Sequence, residues 1–295
     1  MTFHHKFLMS TNCILQIIRS IGIKLGLVSA NRLRVLIYHD IPKSEEEAFR
    51  VQLKWLKKKW NIISPSQFEL MVSGEKPIIG DNLLITFDDG LVSNRIVAEK
   101  ILNPLNIKVI FFVVSDFVSI ENSNLARKFI ANHFFDETKI SDIPDSWHNM
   151  NWEDLKILLN QGHSIGSHTK KHARLSNCNS ILELENEIIS SADVISKKLG
   201  IKIEHFAFTF GDIDSLSFDA LKVARSRFDY IFTGIRGNNN KVSPLAIRRD
   251  TAAYQLFNNE YVLFNNKLLD AFLSGFADFK YSSARKIIDR WCKIL

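Results

Sequence analysis

The sequence predicts an α/β fold in which parallel strands are joined by helical crossovers, and three observations point to it. From Arg34 onward, short β-branched and aromatic runs alternate with longer stretches of helical period, the pattern of a doubly wound sheet or a barrel. The composition is ordinary for a folded chain: 46% hydrophobic and 24% charged, with only 12 Gly and 6 Pro in 295 residues. That excludes disordered, collagen-like and low-complexity classes, and 22 Phe supply ample bulk for a core. No internal repeat or linker interrupts the alternation, so one catalytic-size domain with helical extensions is expected.

The elements follow in order. Residues 13–28 (CILQIIRSIGIKLGLV) are apolar, but Arg19 and Lys24 interrupt them well short of the roughly 20 residues that a spanning helix needs. Ile14, Ile17, Ile18, Ile21 and Leu25 fall at helical spacing, so residues 1–33 are expected to hold an amphipathic helix packed on the domain, with a helix lying on a membrane surface as the alternative. Strands are expected at VLIY (35–38), LLITF (83–87), VIFFVV (109–114), HSIGS (163–167), EHFAFT (204–209) and YIFT (230–233). Helices are expected at 45–59, 91–102, 152–161 and 181–199, each carrying apolar residues three and four apart. Gly, Pro and Asn mark loops at 74–82 and 237–244. The domain is expected to run over 34–255, and 256–295 reads as a helical extension ending in a basic amphipathic helix.

Charge and cysteine usage narrow the partners. Lys+Arg of 38 against Asp+Glu of 32 gives +6, spread without the stripe that nucleic-acid binding needs, so no nucleic acid is expected. Cys13, Cys178 and Cys292 are odd in number and far apart, which argues against a disulfide framework and suits a reducing compartment. A cytoplasmic protein is therefore expected, with residues 13–28 and the basic terminal helix able to hold it on the anionic inner face of a membrane.

The chemistry gathers at strand ends. Asp88 and Asp89 follow the apolar run LLITF and precede Gly90, at the carboxyl edge where α/β folds hold their active sites. Two adjacent acids ending a buried strand need a positive partner, and a metal ion would serve. His168 and His172 close the run HSIGSHTKKH, and their i, i+4 spacing predicts both imidazoles on one side of a helical turn. Two imidazoles and a carboxylate suit zinc or a similar divalent metal with an open position. His39 ends VLIYH on the same rim, whereas His163 begins its strand and belongs at the opposite end.

TFDDG (86–90) followed by SHTKKH (167–172) resembles the first two motifs of the polysaccharide deacetylase family, carbohydrate esterase family 4 with its NodB-homology domain. RVLIYHDI (34–41) is similar to the branch with an amino-terminal YH strand, and FAFTFGD (206–212) and PLAIRRD (244–250) complete the order. The resemblance implies an irregular (β/α) barrel with fewer strands than eight. It also implies a metal-dependent hydrolase that removes acetyl from an N-acetylated amino sugar in a polysaccharide, oligosaccharide or lipid-linked precursor of a cell-surface polymer. Carried over, Asp89, His168 and His172 would hold the metal, zinc first and otherwise cobalt, nickel, manganese or iron. Asp88 would be the general base, His39 the acid for the leaving amine, and Phe210 and Gly211 would touch substrate. The third motif has Ala207 and Thr209 where the family usually has a proline, often after an arginine, so the arginine facing the base is expected at Arg249, with Arg248 the alternative. Two other classes fit parts of this pattern: a glycan-binding protein on the same fold, which would be expected to lack the base or a ligand, and a non-haem iron enzyme with the same His/His/Asp set.

Overall fold

Strand period and parallel pairing build the frame of a computed structural model that describes residues 14, 16–27, 29–135, 138–251 and 264–295. The strands are β1 (Arg32–Tyr38), β2 (Asn61–Ile62), β3 (Asp81–Phe87), β4 (Ile110–Val113), β5 (Ser164–Ser167), β6 (His205–Ala207), β7 (Tyr230–Phe232) and β8 (Asp250–Thr251). Their order is β7-β6-β5-β4-β3-β1-β8, with β2 also on β3. Every pairing is parallel. Ile247 bridges to Phe232 just before β8 pairs with β1, so one short segment touches both edges of the curled sheet. The curled path therefore holds seven strands, fewer than the eight of a full barrel, with β2 as a branch on β3; β2 and β8 hold two residues each, too short to leave a periodic signal in the sequence.

Side chains alternate across this sheet, as extended backbone requires. Leu36, Tyr38, Ile85, Phe87, Phe111 and Phe206 face outward into a core shared with the helices. Their neighbours Leu33, Val35, Leu84, Phe112, Ala207 and Phe232 face inward and fill the barrel together with Phe68 and Met71. Those two residues come from the helix Pro65–Val72, which starts on a capping box at Ser64. Gly166 on β5 leaves the space that Phe112 occupies, since a Cβ there would lie 2.5 Å from the Phe112 ring. The described residues thus fill the barrel interior towards its amino end, and a pocket opens at the carboxyl rim.

The outer helices are α1 (Glu46–Lys59), α2 (Pro65–Val72), α3 (Val92–Val97), α4 (Ser123–His133), α5 (Trp152–Asn160), α6 (Ile181–Leu199), α7 (Phe218–Arg225), α8 (Asn266–Leu273) and α9 (Ser282–Ile294). Caps fix several of them. Asn151 and Asp154 form a capping box at α5, and Ser180 accepts from the Glu183 N–H at α6, which ends on Gly200 in the left-handed region. The expected helix 91–102 is α3 continued by a π-helical turn over 98–102. The carboxyl-terminal helices dock through a buried ion network. Arg34 on β1 holds Asp250 with two bonds of 2.8 and 2.7 Å and reaches Asp278, which follows α8, at 2.6 Å; Arg236 adds a bond of 3.0 Å to Asp250.

One expectation is corrected at the amino terminus. Residues 16–24 are helical, yet Ile14, Ile17, Ile18, Ile21 and Leu25 are all exposed. The helix meets the barrel through polar groups instead, Gln16 donating to Asp270 at 3.3 Å and Arg19 lying 3.6 Å from Asp81. The amphipathic period was right and the packed apolar face was not, because the nearest barrel surface offers carboxylates.

His163 lies at the amino end of β5, as its position implied. Its Nδ1 accepts from the Val109 N–H at 3.3 Å, which leaves Nε2–H to donate to Asn103 Oδ1 at 3.1 Å. Burial, reinforced by the Lys108 charge, lowers its pKa to about 4 from 6.5. The unfolded chain then takes up a proton that the folded one refuses, so stability falls as pH drops from 6.5 towards 4. We expect the unfolding free energy of the wild type to lose about 2 kcal/mol more than that of His163→Gln between about pH 7 and pH 5. Urea titrations at both pH values check this; a gap that does not change with pH would refute it.

Candidate active site

The inward parity that fills the barrel also aims the functional residues. Leu33, Val35 and Ile37 point inward on β1, so His39 continues that row onto the rim; Leu84 and Thr86 do the same on β3 and lead to Asp88. The parallel register pairs Tyr38 with Phe87, which sets His39 beside Asp88 one step later. Ile247, Arg249 and Thr251 form a third inward row. One pocket at the carboxyl rim is lined by His39, Asp88, Asp89, His168, His172 and Arg249.

Asp88 and Asp89 diverge although they are adjacent. Asp88 turns to Arg249, whose Nη1 donates to Oδ1 at 2.7 Å while its Nε donates to the Thr233 carbonyl at 3.0 Å. Arg248, of opposite parity, points away and pairs with Asp289 on α9 at 2.9 Å. Burial pushes the Asp88 carboxyl up, but the charge and hydrogen bond of the Arg249 guanidinium outweigh it and hold the group below its usual range, so it is ionised at neutral pH. Asp89 takes φ of 78°, which swings its carboxylate toward the histidines.

The two histidines do not sit on a helical turn. Residues 168–172 form an irregular loop in which Thr169 has φ of 65° and His172 of 61°. α6 holds that loop open: Glu187 accepts from the N–H groups of Lys170 at 3.2 Å and Lys171 at 2.9 Å, and Ser191 donates to the Thr169 carbonyl at 2.8 Å. These bonds replace the ones a helix would make. Among the described residues, the non-glycine positions with positive φ are Asp89, Asn106, Thr169, His172, Phe210 and Lys241, and four of these six belong to or flank this pocket. Backbone strain concentrated in this way is characteristic of sites that need side chains in fixed directions.

Asp89, His168 and His172 offer atoms that all lie within 4.8 Å of one another. Asp89 Oδ1 is 3.6 Å from His168 Nε2 and 3.5 Å from His172 Nε2. It is buried and accepts no hydrogen bond. Each histidine uses Nδ1 elsewhere, His168 on the Ala207 carbonyl at 2.8 Å and His172 on the His133 carbonyl at 2.9 Å. Nδ1–H is therefore the donor, and both Nε2 lone pairs face the orphaned carboxylate oxygen. Burial lowers both imidazole pKa values, that of His172 to about 4, so both stay neutral as ligands must. Three acceptors aimed at one point with no donor among them suit a divalent cation, and two imidazoles with one carboxylate are a borderline set of the kind zinc prefers.

The walls contain residues that the sequence reading did not single out. Phe134 and Phe135 line one side of the pocket, and Phe134 lies against the His172 ring at 4.7 Å. Phe210, with φ of 60°, covers His172 from the other side at 4.8 Å, and the Arg174 guanidinium sits 4.2 Å over the outer face of Phe210. Gly211 follows at φ of 72°, where a Cβ would lie 2.6 Å from the Gly234 nitrogen; only glycine lets these two wall strands touch. Thr209 donates its hydroxyl to the Ala173 carbonyl at 2.5 Å, tying the third motif to the end of the histidine loop. The Ala207 carbonyl accepts from His168 in the same motif, and the arginine facing Asp88 comes from Arg249. Asp40, next to His39, accepts from Trp147 Nε1 at 2.8 Å and braces the rim.

Comparison with known proteins bears on the family and the fold. The family model for polysaccharide deacetylases matches residues 77–227. The curated protein YxkH of Bacillus subtilis (strain 168), which carries a polysaccharide deacetylase name, is 27% identical over 154 residues, 49% of this chain. The chain spans about half the length of that relative, 45% of it. Among solved structures, IcaB from Ammonifex degensii superposes with a TM-score of 0.61 at 19% identity, covering 83% of this chain and 97% of that one. The Streptococcus pyogenes deacetylase PplD in complex with acetate gives 0.61 at 18%, covering 83% and 99%. At these identities the structural likeness is one of fold.

Proposed function

The chain belongs to the polysaccharide deacetylase family, and from that premise we propose that it is a metal-dependent hydrolase that removes acetyl groups from N-acetylated amino sugars within a saccharide. The observation that carries this reading is the division of labour between neighbouring acids. Asp89 joins His168 and His172 around a buried, unpartnered oxygen, while Asp88 stands beside them ionised on Arg249.

A divalent ion held by Asp89, His168 and His172 would supply Lewis acidity, polarising an acyl oxygen and lowering the pKa of water. Asp88 accepts the proton of the attacking water, and Arg249 keeps it ionised and fixed in direction. His39, just past the end of β1 on the pocket wall, donates a proton to the departing amine nitrogen. Phe134 and Phe210 exclude water and give the sugar ring apolar faces to lie against. A non-haem iron oxidation needs the three ligands alone, so the arginine-held second carboxylate favours hydrolysis.

The test is acetate release from N-acetylhexosamine oligomers and from lipid-linked sugars, using the full chain stripped of metal and reconstituted with zinc or cobalt. Acetate release on at least one N-acetylated substrate, abolished by chelator and restored by metal, is expected. Glycan binding without acetate release from any substrate under full metal loading would refute the proposal.

A further inference from the structure

The end of the barrel opposite the pocket carries an arrangement that catalysis does not use. The helix over residues 16–24 is seated with its polar side down: Gln16 reaches Asp270, Arg19 reaches Asp81 at the start of β3, and Gly22 is buried. Its apolar side faces out, with Ile17 60%, Ile18 58%, Ile21 51% and Leu25 65% exposed. A helix seated for its own stability does the reverse. At the same end, Arg32 binds the Leu273 carbonyl and Arg34 binds Asp278, and Phe276 and Phe279 on either side of Asp278 are presented to solvent.

Charge specifies the occupant. The carboxylates beside this helix and segment are engaged from within the chain, Asp81 by Arg32 at 2.5 Å, Asp278 by Arg34 at 2.6 Å, and Asp270 by Gln16 and by Lys59 at 3.9 Å, while Glu69, Glu75, Glu204 and Asp229 gather around Tyr230 at the start of β7. Lys24 on the helix stays exposed, as do Lys57 and Lys58 in the last turn of α1, a turn that stands beside the helix because its Lys59 approaches the same Asp270 that Gln16 reaches; Lys57 also donates to the Leu105 carbonyl at 2.7 Å. A stripe of Ile and Leu rimmed by lysines is complementary to anionic lipid headgroups over acyl chains. A second copy of the chain would bring the same lysines against one another. No described helix is long and apolar enough to cross a membrane, and residues 16–24 span about 14 Å, so the helix would lie in the surface rather than through it.

We propose that the amino-terminal end of the barrel is a docking face for an anionic lipid bilayer, formed by Ile17, Ile18, Ile21 and Leu25 with Phe276 and Phe279 and rimmed by Lys24, Lys57 and Lys58. Docked this way, the seven residues of β1 hold the catalytic rim about 23 Å further out. The pocket then faces saccharide that projects from the surface rather than sugar lying at headgroup level.

The test is flotation of the full chain with vesicles of phosphatidylcholine alone and with about 30% phosphatidylglycerol, alongside light scattering without lipid. Binding to the anionic vesicles, weakened at about 0.5 M salt and reduced about tenfold in Ile17→Glu/Ile21→Glu, is expected. Lys57→Glu/Lys58→Glu should weaken it as well. Both variants should keep the wild-type far-UV circular dichroism, because the substituted side chains are exposed. No wild-type binding to anionic vesicles, equal binding by the Ile17→Glu/Ile21→Glu variant, or a lipid-free dimer that this variant dissociates would overturn the proposal.

Discussion

Replacing Asp88 by Asn should lower acetate release by about a thousandfold while metal content stays at the wild-type level. The two side chains are the same size, and the amide oxygen can still accept from Arg249, whose Nη1 lies 2.7 Å from Asp88 Oδ1. What disappears is the proton acceptor. The substitution also leaves the buried Arg249 guanidinium without its counter-charge, so the melting temperature should drop by a few degrees without loss of the fold. Elemental analysis of dialysed protein, together with steady-state kinetics, checks both halves. Metal loss in this variant matching that of a true ligand variant would mean that the adjacent acids have been assigned the wrong way round.

His168→Ala carries the second large effect and should fail in both respects. It removes one of three converging ligand atoms and the bond from Nδ1 to the Ala207 carbonyl, so we expect at least a hundredfold weaker metal binding and turnover at background. The cleanest comparison is thermal. Added zinc should raise the melting temperature of the wild type and of Asp88→Asn, because a ligand that binds only the folded state stabilises it, and should leave His168→Ala unmoved. A zinc-dependent shift of wild-type size in His168→Ala would exclude this histidine from the metal site.

The chemical residues were legible because each stands where an apolar run stops. VLIY ends at His39 and LLITF at Asp88, and a buried strand ending in a polar group points to the rim. Alternation along the strand also separates Arg249 from Arg248, but only once the register of the last segment is known: Ile247 faces in, so 249 does too and 248 faces α9. A two-residue strand carries too little period to give that register from sequence. The histidine loop defeated spacing for a different reason. An i, i+4 pair fits one helical turn, and the bonds that unwind it come from Glu187 and Ser191, well downstream on α6. The partners of the two ligand imidazoles are the main-chain carbonyls of Ala207 and His133, which any residue could provide and no residue type announces. The aromatic walls left a trace in the paired Phe134 and Phe135, but among the 22 Phe of the chain two adjacent ones do not stand out. The amino-terminal helix was readable as amphipathic and unreadable as to which side it seats, since that depends on the carboxylates it meets.

Arg249 and Asp250 are consecutive, and the sheet's alternation sends them to opposite sides: one to the catalytic carboxylate, the other to Arg34 and Arg236 behind the sheet. Asp278 on the carboxyl-terminal extension completes that rear network, which balances two guanidiniums with two carboxylates. Arg249 is therefore steadied from behind the sheet by its neighbour's ion pairs with Arg34 and Arg236. This bears on modularity. A fragment cut at residue 255 would keep every group that touches substrate, yet leave Arg34 and Arg236 sharing one buried acid and strip Arg248 of Asp289. The barrel and its trailing helices share this network, so such a fragment is expected to be less stable than the full chain. Any transplant of this active site into a chimera, or any trimming for expression, has to carry residues 266–294 with it.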